Sequence, residues 1–164
     1  MIKKIFCIGL LFLGIAVFLY GVFPLYFSYQ SASWESVPGT VVQSKLTYTK
    51  GITRAKKGSR TGKYFADIVY KYFVNGAQYK NSEIFYGYIG NKSSNDAKFL
   101  LDLYPIDSNV DVYFDNSNPE RSVLQSGINP SVWRYPAIGL TVIFVSILGI
   151  VSILKKKKNI IQPD

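Results

Sequence analysis

The sequence predicts a membrane protein in which two transmembrane helices flank a small α+β domain, an antiparallel β-barrel or sheet in the OB-like order β-β-β-α-β-β. Three observations carry this. Two uncharged apolar runs, 5–27 and 135–154, bracket the middle of the 164-residue chain. Lysines stand at the far end of each run: Lys3 and Lys4 before the first, and Lys155, Lys156, Lys157 and Lys158 after the second. Between the runs, segments rich in Val, Thr, Tyr and Phe alternate with period two around an Asn-Gly pair.

The first run, at about 1.5 Å per helical residue, reaches roughly 35 Å, more than a hydrocarbon core of about 30 Å. The second run matches that thickness. In lipid the backbone must satisfy its own hydrogen bonds, so both are expected as helices despite Gly9, Gly14, Gly21 and Pro24. The first run is longer than the apolar region of a signal peptide, and Ser31-Ala32-Ser33 is a poor cleavage site, so it is expected to remain as an anchor. Ser146, Gly149 and Ser152 share a helical face that is expected to meet Gly9 or Gly14.

Orientation follows from lysine and arginine near the span ends. Six lysines flank the far ends. The near ends carry little charge, with Trp34 and Trp133 placed for the membrane interface. The expectation is a multi-pass protein of the cytoplasmic membrane, both termini cytoplasmic, 34–127 forming an extracytoplasmic β-domain and 155–164 a basic tail. The net charge of +9 is mostly this topology signal, since the middle holds twelve basic and nine acidic residues. Its placement argues against nucleic acid as a partner, leaving the lipid bilayer and an envelope protein or anionic polymer. The sequence says nothing about homo-oligomers.

Within the middle, Thr40 to Thr49 reads as a strand. Tyr64 to Val74 and Ala77 to Tyr86 read as the arms of a hairpin about Asn75-Gly76, whose type I′ turn needs positive φ twice. In the first arm Tyr64, Ala66, Ile68, Tyr70, Tyr72 and Val74 share the core face, and Asp67 and Lys71 turn the other face to water. Ser93 caps a short helix, with Asp96 placed for a capping box and Ala97, Leu100, Leu101 and Tyr104 forming its buried stripe before Pro105. Val110 to Phe114, an Asx-type turn from Asp115 to Pro119, and Ser122 to Gln125 complete the strands. A small closed or nearly closed barrel is favoured, because short aromatic strands without a second layer must curl to bury both faces, while a plain antiparallel sheet covered by one helix fits the same order equally well.

Chemistry is sparse. Histidine is absent and Cys7, an apolar filler, is the sole cysteine, which excludes disulfides within the chain, Ser-His and Cys-His pairs, and imidazole zinc sites. Asp107, Asp111, Asp115 and Glu120 lack the glycine and glutamate of an EF-hand loop, so no metal and no cofactor is expected. Asp67 and Asp111 are the only conceivable carboxylate pair, and the expectation is that the protein is not an enzyme. Residues 50–63 carry six basic residues and no acid. Arg54, Lys56, Lys57, Arg60 and Lys63 are the candidate contacts for an anionic partner, against the alternative of a solvated hairpin loop. Most of the tyrosines are expected as core and cross-strand pairs rather than a stacking platform.

Several segments together are familiar: Trp34 with Gly39-Thr40-Val41 and Ser44; Tyr70 to Tyr79 through Asn75-Gly76; Tyr104-Pro105; Val110 to Tyr113; and Asn118 to Leu124. They resemble the bacterial two-span membrane proteins grouped as the domain of unknown function 3592 family, over roughly 34–127 plus both apolar runs. That family often has a glycine shortly after the Tyr-Pro pair, where this chain has Ile106-Asp107-Ser108. The resemblance implies an anchored extracytoplasmic β-domain and supplies no catalytic residue. The functional expectation is a non-catalytic β-domain presented for partner or anionic-polymer binding. The alternatives are an immunity-type envelope protein against a toxin and a membrane-anchored hydrolase.

Overall fold

The computed structural model describes residues 2–50 and 62–161, with side chains from Ile5 to Lys155. The chain divides into two units, Met1–Phe27 with Pro130–Asp164, and Ser28–Asn129.

The first unit is helical. α1 runs over Ile2–Ser31, and a 3₁₀ turn at Pro130–Trp133 leads into α3, Arg134–Ile161. Both helices extend past the apolar runs, since the flanking residues continue the same backbone hydrogen bonding at no steric cost. Each holds a stretch long and apolar enough to cross a membrane, of which only 11% is buried within the chain. A core helix of a globular protein would be mostly buried; these present their apolar surface outward.

The two helices run antiparallel and meet through glycine. A side chain at Gly139 would lie 2.6 Å from the Phe18 backbone nitrogen, one at Gly21 2.5 Å from Pro136 Cδ, and one at Gly14 2.9 Å from Ile143 Cγ1. Gly149 receives the Cys7 sulfur, where a Cβ would sit 3.0 Å away. Gly9, an expected partner, meets nothing within 4 Å. Small residues let the two backbones approach closely. Ser146 is buried and donates to the Val142 carbonyl of its own helix at 2.7 Å, as a hydroxyl does when no polar partner faces it.

The second unit is a five-stranded antiparallel sheet with one helix. Its strands are β1 Glu35–Lys50, β2 Gly62–Val74, β3 Ala77–Asn81, β4 Asn109–Asp115 and β5 Asn118–Val123, in the order β3-β2-β1-β4-β5. α2, Ser94–Leu103, packs on β2 and β1. Asn75 and Gly76 take φ of 51° and 81°, the two positive values that the β2–β3 turn requires. Ala66, Ile68, Tyr70, Tyr72 and Val74 are buried on one face of β2, with Val41, Ile84, Leu100, Val112, Phe114 and Leu124.

The sheet is not a closed barrel, because its outer strands β3 and β5 form no ladder. β3 stops at Asn81, five residues short of the predicted Tyr86. There the Asn81 amide donates to the carbonyls of Glu120 (3.1 Å) and Ser122 (3.2 Å), taking acceptors that a pairing strand would use. Beyond it, the Leu124 and Gln125 N–H groups reach the Ile84 carbonyl at 3.1 and 2.8 Å. α2 supplies the second layer whose expected absence argued for closure. Ser93 caps α2 by accepting from the Asn95 N–H at 3.1 Å, one position earlier than a capping box would bond. Asp115 Oδ1 accepts from the Ser117 N–H (2.9 Å) and hydroxyl (2.6 Å), the expected Asx turn.

Candidate functional site

β1 changes partners along its length. Glu35 to Thr40 pair with β4 and Gly39 to Lys50 pair with β2, so among the described residues only Gly39 and Thr40 carry a strand on both sides. Pro38 is tolerated because it pairs only with Asp111 of β4. A bulge between Val41 and Gln43 follows the exchange. The result is a two-stranded arm, 43–50 with 62–69, which ends where the basic segment joins the two strands.

The outer face of the arm carries a shallow cleft of about 290 Å³, lined by Thr47, Thr49, Phe65, Asp67, Ser82 and Tyr88. Its one carboxylate is occupied: Asp67 Oδ2 accepts from Gln43 Nε2 at 3.0 Å and stands 3.4 Å from Lys45 Nζ. Both partners of that ion pair are exposed enough that it contributes little to stability. The rim is held by the segment after β3. Tyr88 accepts from the Ala66 N–H and donates to Asn91 Oδ1, both at 2.9 Å, and Tyr64 and Asn91 exchange backbone hydrogen bonds at 2.8 and 2.7 Å. Burial pushes the Tyr88 phenol above its ordinary range, against the opposing bond from Ala66. Sequence reasoning missed this clamp by extending β3 through Tyr86. Gly87 and Gly90, at φ of 82° and 74°, were the available signal that the strand had ended.

Of the predicted partner contacts, Arg54, Lys56, Lys57 and Arg60 lie outside the described residues. Lys63 is engaged in the fold, donating from Nζ to the Ile89 carbonyl at 3.0 Å. Trp34 is half-buried and meets Tyr86 edge-on at 5.9 Å, whereas Trp133 is 54% exposed. Lys155 is exposed, and the side chains of Lys156, Lys157 and Lys158 lie outside the description.

The remaining chemistry is structural. Tyr70 and Tyr72 are fully buried, which removes them from any stacking platform; Tyr79 stacks on Tyr72 at 5.7 Å. The Tyr70 hydroxyl donates to the Glu83 carbonyl at 3.0 Å and lies 3.1 Å from Ser122 Oγ, while that of Tyr72 donates to the Pro119 carbonyl. Desolvation drives the Tyr70 phenol far above its ordinary pKa, so it holds its proton throughout the neutral range. Asp67 and Asp111 are not brought together. Asp67 stands opposite Lys45 and Asp111 opposite Pro38, seven positions apart on β1, or about 23 Å. A working carboxylate pair needs roughly 5–9.5 Å. Among the described residues no three acidic or cysteine side chains group to hold a metal ion.

No curated protein matches the chain in sequence. A family model described as a domain of unknown function (DUF3592) matches residues 37–129, a segment running from the start of β1 to just past the last strand. Of the motifs that carried the resemblance, the Asn75-Gly76 hairpin and the Val110–Leu124 pair of strands lie in that segment, whereas Trp34 and the two apolar runs lie outside it; the chain belongs to the DUF3592 family.

Proposed function

We propose that this protein is anchored by α1 and α3 in the cytoplasmic membrane, holds both termini inside, and presents the β-domain outside as a non-catalytic binding module for an anionic partner. The observation that carries the reading is the pair of long apolar helices with only 11% of each apolar stretch buried, each with lysines at its far end. Exposed apolar surface on that scale stabilises a lipid-embedded state, and lysine heads resist crossing. The binding role is supported by charge distribution: residues 50–63 hold six of the twelve basic residues of the middle segment and none of its nine acidic ones.

Single cysteines test the topology. In a Cys7→Ala background, Ser82→Cys is expected to react with a membrane-impermeant maleimide on intact cells, and Gln162→Cys only after lysis. The reverse pattern sinks the reading. Replacing Arg54, Lys56, Lys57 and Arg60 by Gln should weaken binding of the full chain to an anionic polymer and flatten its salt dependence, while unchanged binding would remove that segment from the role.

A further inference from the structure

The arm leaves one backbone edge open, and the ladder register identifies which groups line it. The Ala66 N–H turns away from β1 to reach Tyr88, and both Tyr64 backbone groups turn away from β1 to reach Asn91. Residues directly opposite in an antiparallel pair either bond to each other or both face outward. Leu46 is opposite Ala66 and Tyr48 is opposite Tyr64, so the N–H and C=O groups of Leu46 and Tyr48 point away from β2. Period two extends this to Ser44 and Lys50. The bulge shifts the outward positions by one residue, so that before it Val41 points away from β2 and bonds Ser108 and Asp107 at 3.0 and 2.9 Å. β4 ends its pairing at Thr40, and among the described residues nothing bonds the edge beyond Val41.

We propose that the open edge of β1, from Ser44 to Lys50, receives an extended acidic peptide segment of a partner protein as an added antiparallel or parallel strand. This rests on the reading of the domain as a binding module and gives that reading a mode. An unpaired edge aligns its donors and acceptors for another chain, and strand addition draws affinity from the backbone. Apolar side chains beside the edge can cover such a strand. Leu46 and Tyr48 are 38% and 40% exposed on one face, and Ile106, next to the bond between Asp107 and Val41, is 59% exposed. Charge selects the occupant. The edge strand carries Lys50, and Lys45 in its ion pair with Asp67; it holds no acid from Gln43 to Lys50, and the basic segment continues from it. A second copy of the chain would bring two such basic strands together, which like-charge repulsion opposes.

Hydrogen exchange on the full chain in detergent micelles tests the mode without a variant. The probes are a peptide of alternating threonine and glutamate, and poly(glycerol phosphate) as an anionic polymer that cannot add a strand. The amides of Leu46 and Tyr48 are expected to exchange rapidly in the free protein and slowly with the peptide bound. Tyr48→Pro, which removes an edge-facing N–H and spares the β1–β2 bonds, should weaken peptide binding by roughly tenfold, where Tyr48→Ala should lose less. Peptide binding without protection of these amides, or binding of the polymer alone, overturns strand addition and leaves the binding module standing. Binding of neither probe removes both. A dimer in which the free protein already protects Leu46 and Tyr48 overturns the peptide in favour of a second copy.

Discussion

The helical pair and the β-domain are stabilised by opposite arrangements of their apolar side chains. Where α1 meets α3, backbones approach through Gly14, Gly21 and Gly139, and most of the large side chains, Phe6, Phe12, Phe144 and Leu148 among them, face outward. In the β-domain large side chains such as Ile68, Tyr70, Tyr72 and Ile84 face inward, and tyrosine fills a role that leucine could not. Tyr70 and Tyr72 occupy the core with their rings while their hydroxyls bond the Glu83 and Pro119 carbonyls at the unzipped seam between β3 and β5. One unit is held by the absence of side chains and the other by their burial. The contrast teaches that apolar content alone does not say where a core lies; the direction in which the content points does.

The strongest way to break the comparison is Tyr70→Ala. It removes a buried ring and strands its partners, and is expected to cost the β-domain about 3–5 kcal/mol. Denaturant unfolding in detergent should show the sheet signal lost at low denaturant while the helical signal persists; a single shared transition would mean that the units are not energetically separate.

Alkaline pH acts on this seam and on the buried tyrosines around it. Burial raises the phenols of Tyr70, Tyr72, Tyr88 and Tyr104, and that of Tyr86 to about 12. Because the folded pKa values are raised, this stabilisation is complete below the ordinary phenol value near 10 and is lost as pH climbs through the folded-state values. Each pKa unit corresponds to about 1.4 kcal/mol. Ultraviolet titration at rising pH should therefore show these tyrosines ionising together with loss of the near-ultraviolet circular dichroism signal. Independent ionisation of all of them near 10 in a folded domain would contradict the burial.

In the helical unit, Gly139→Val places a branched side chain against the Phe18 backbone, which no rotamer change relieves. The expected loss is about 1–3 kcal/mol with the sheet unaffected. Gly9→Ala sharpens the contrast from the other side: nothing lies within 4 Å of its Cβ position, so the change is expected to cost no stability and, through helix propensity, to gain up to about 1 kcal/mol in thermal unfolding.

How much of this was legible beforehand depends on the range over which each feature is decided. Period two along β2 named its buried face, with Ala66 to Val74 on the core side, because alternation is a property of consecutive residues. Asn75-Gly76 named its turn for the same reason, as did Asp115 for the Asx turn. The end of β3 was not legible. Nothing in Ala77 to Tyr86 forbids a longer strand; it ends where Asn81 finds the carbonyls of Glu120 and Ser122, about forty positions away in sequence. The helix contacts were half legible. The glycine content implied close packing, yet Gly9 and Gly14 are equivalent by composition and only the register of α1 against α3 separates them.

By itself, then, the sequence determined two spans of membrane length, their lysine flanks, the hairpin and the alternation of the strands, since each is set by neighbours along the chain. Tertiary structure alone decided that the sheet stays open, that Asp67 and Asp111 lie far apart, that Tyr88 and Asn91 clamp the edge of β2, and that, among the described residues, β1 carries a strand on both sides at only Gly39 and Thr40. Those outcomes depend on which distant backbone groups find partners. A hydrogen bond between remote segments leaves no periodic mark in the residues that make it.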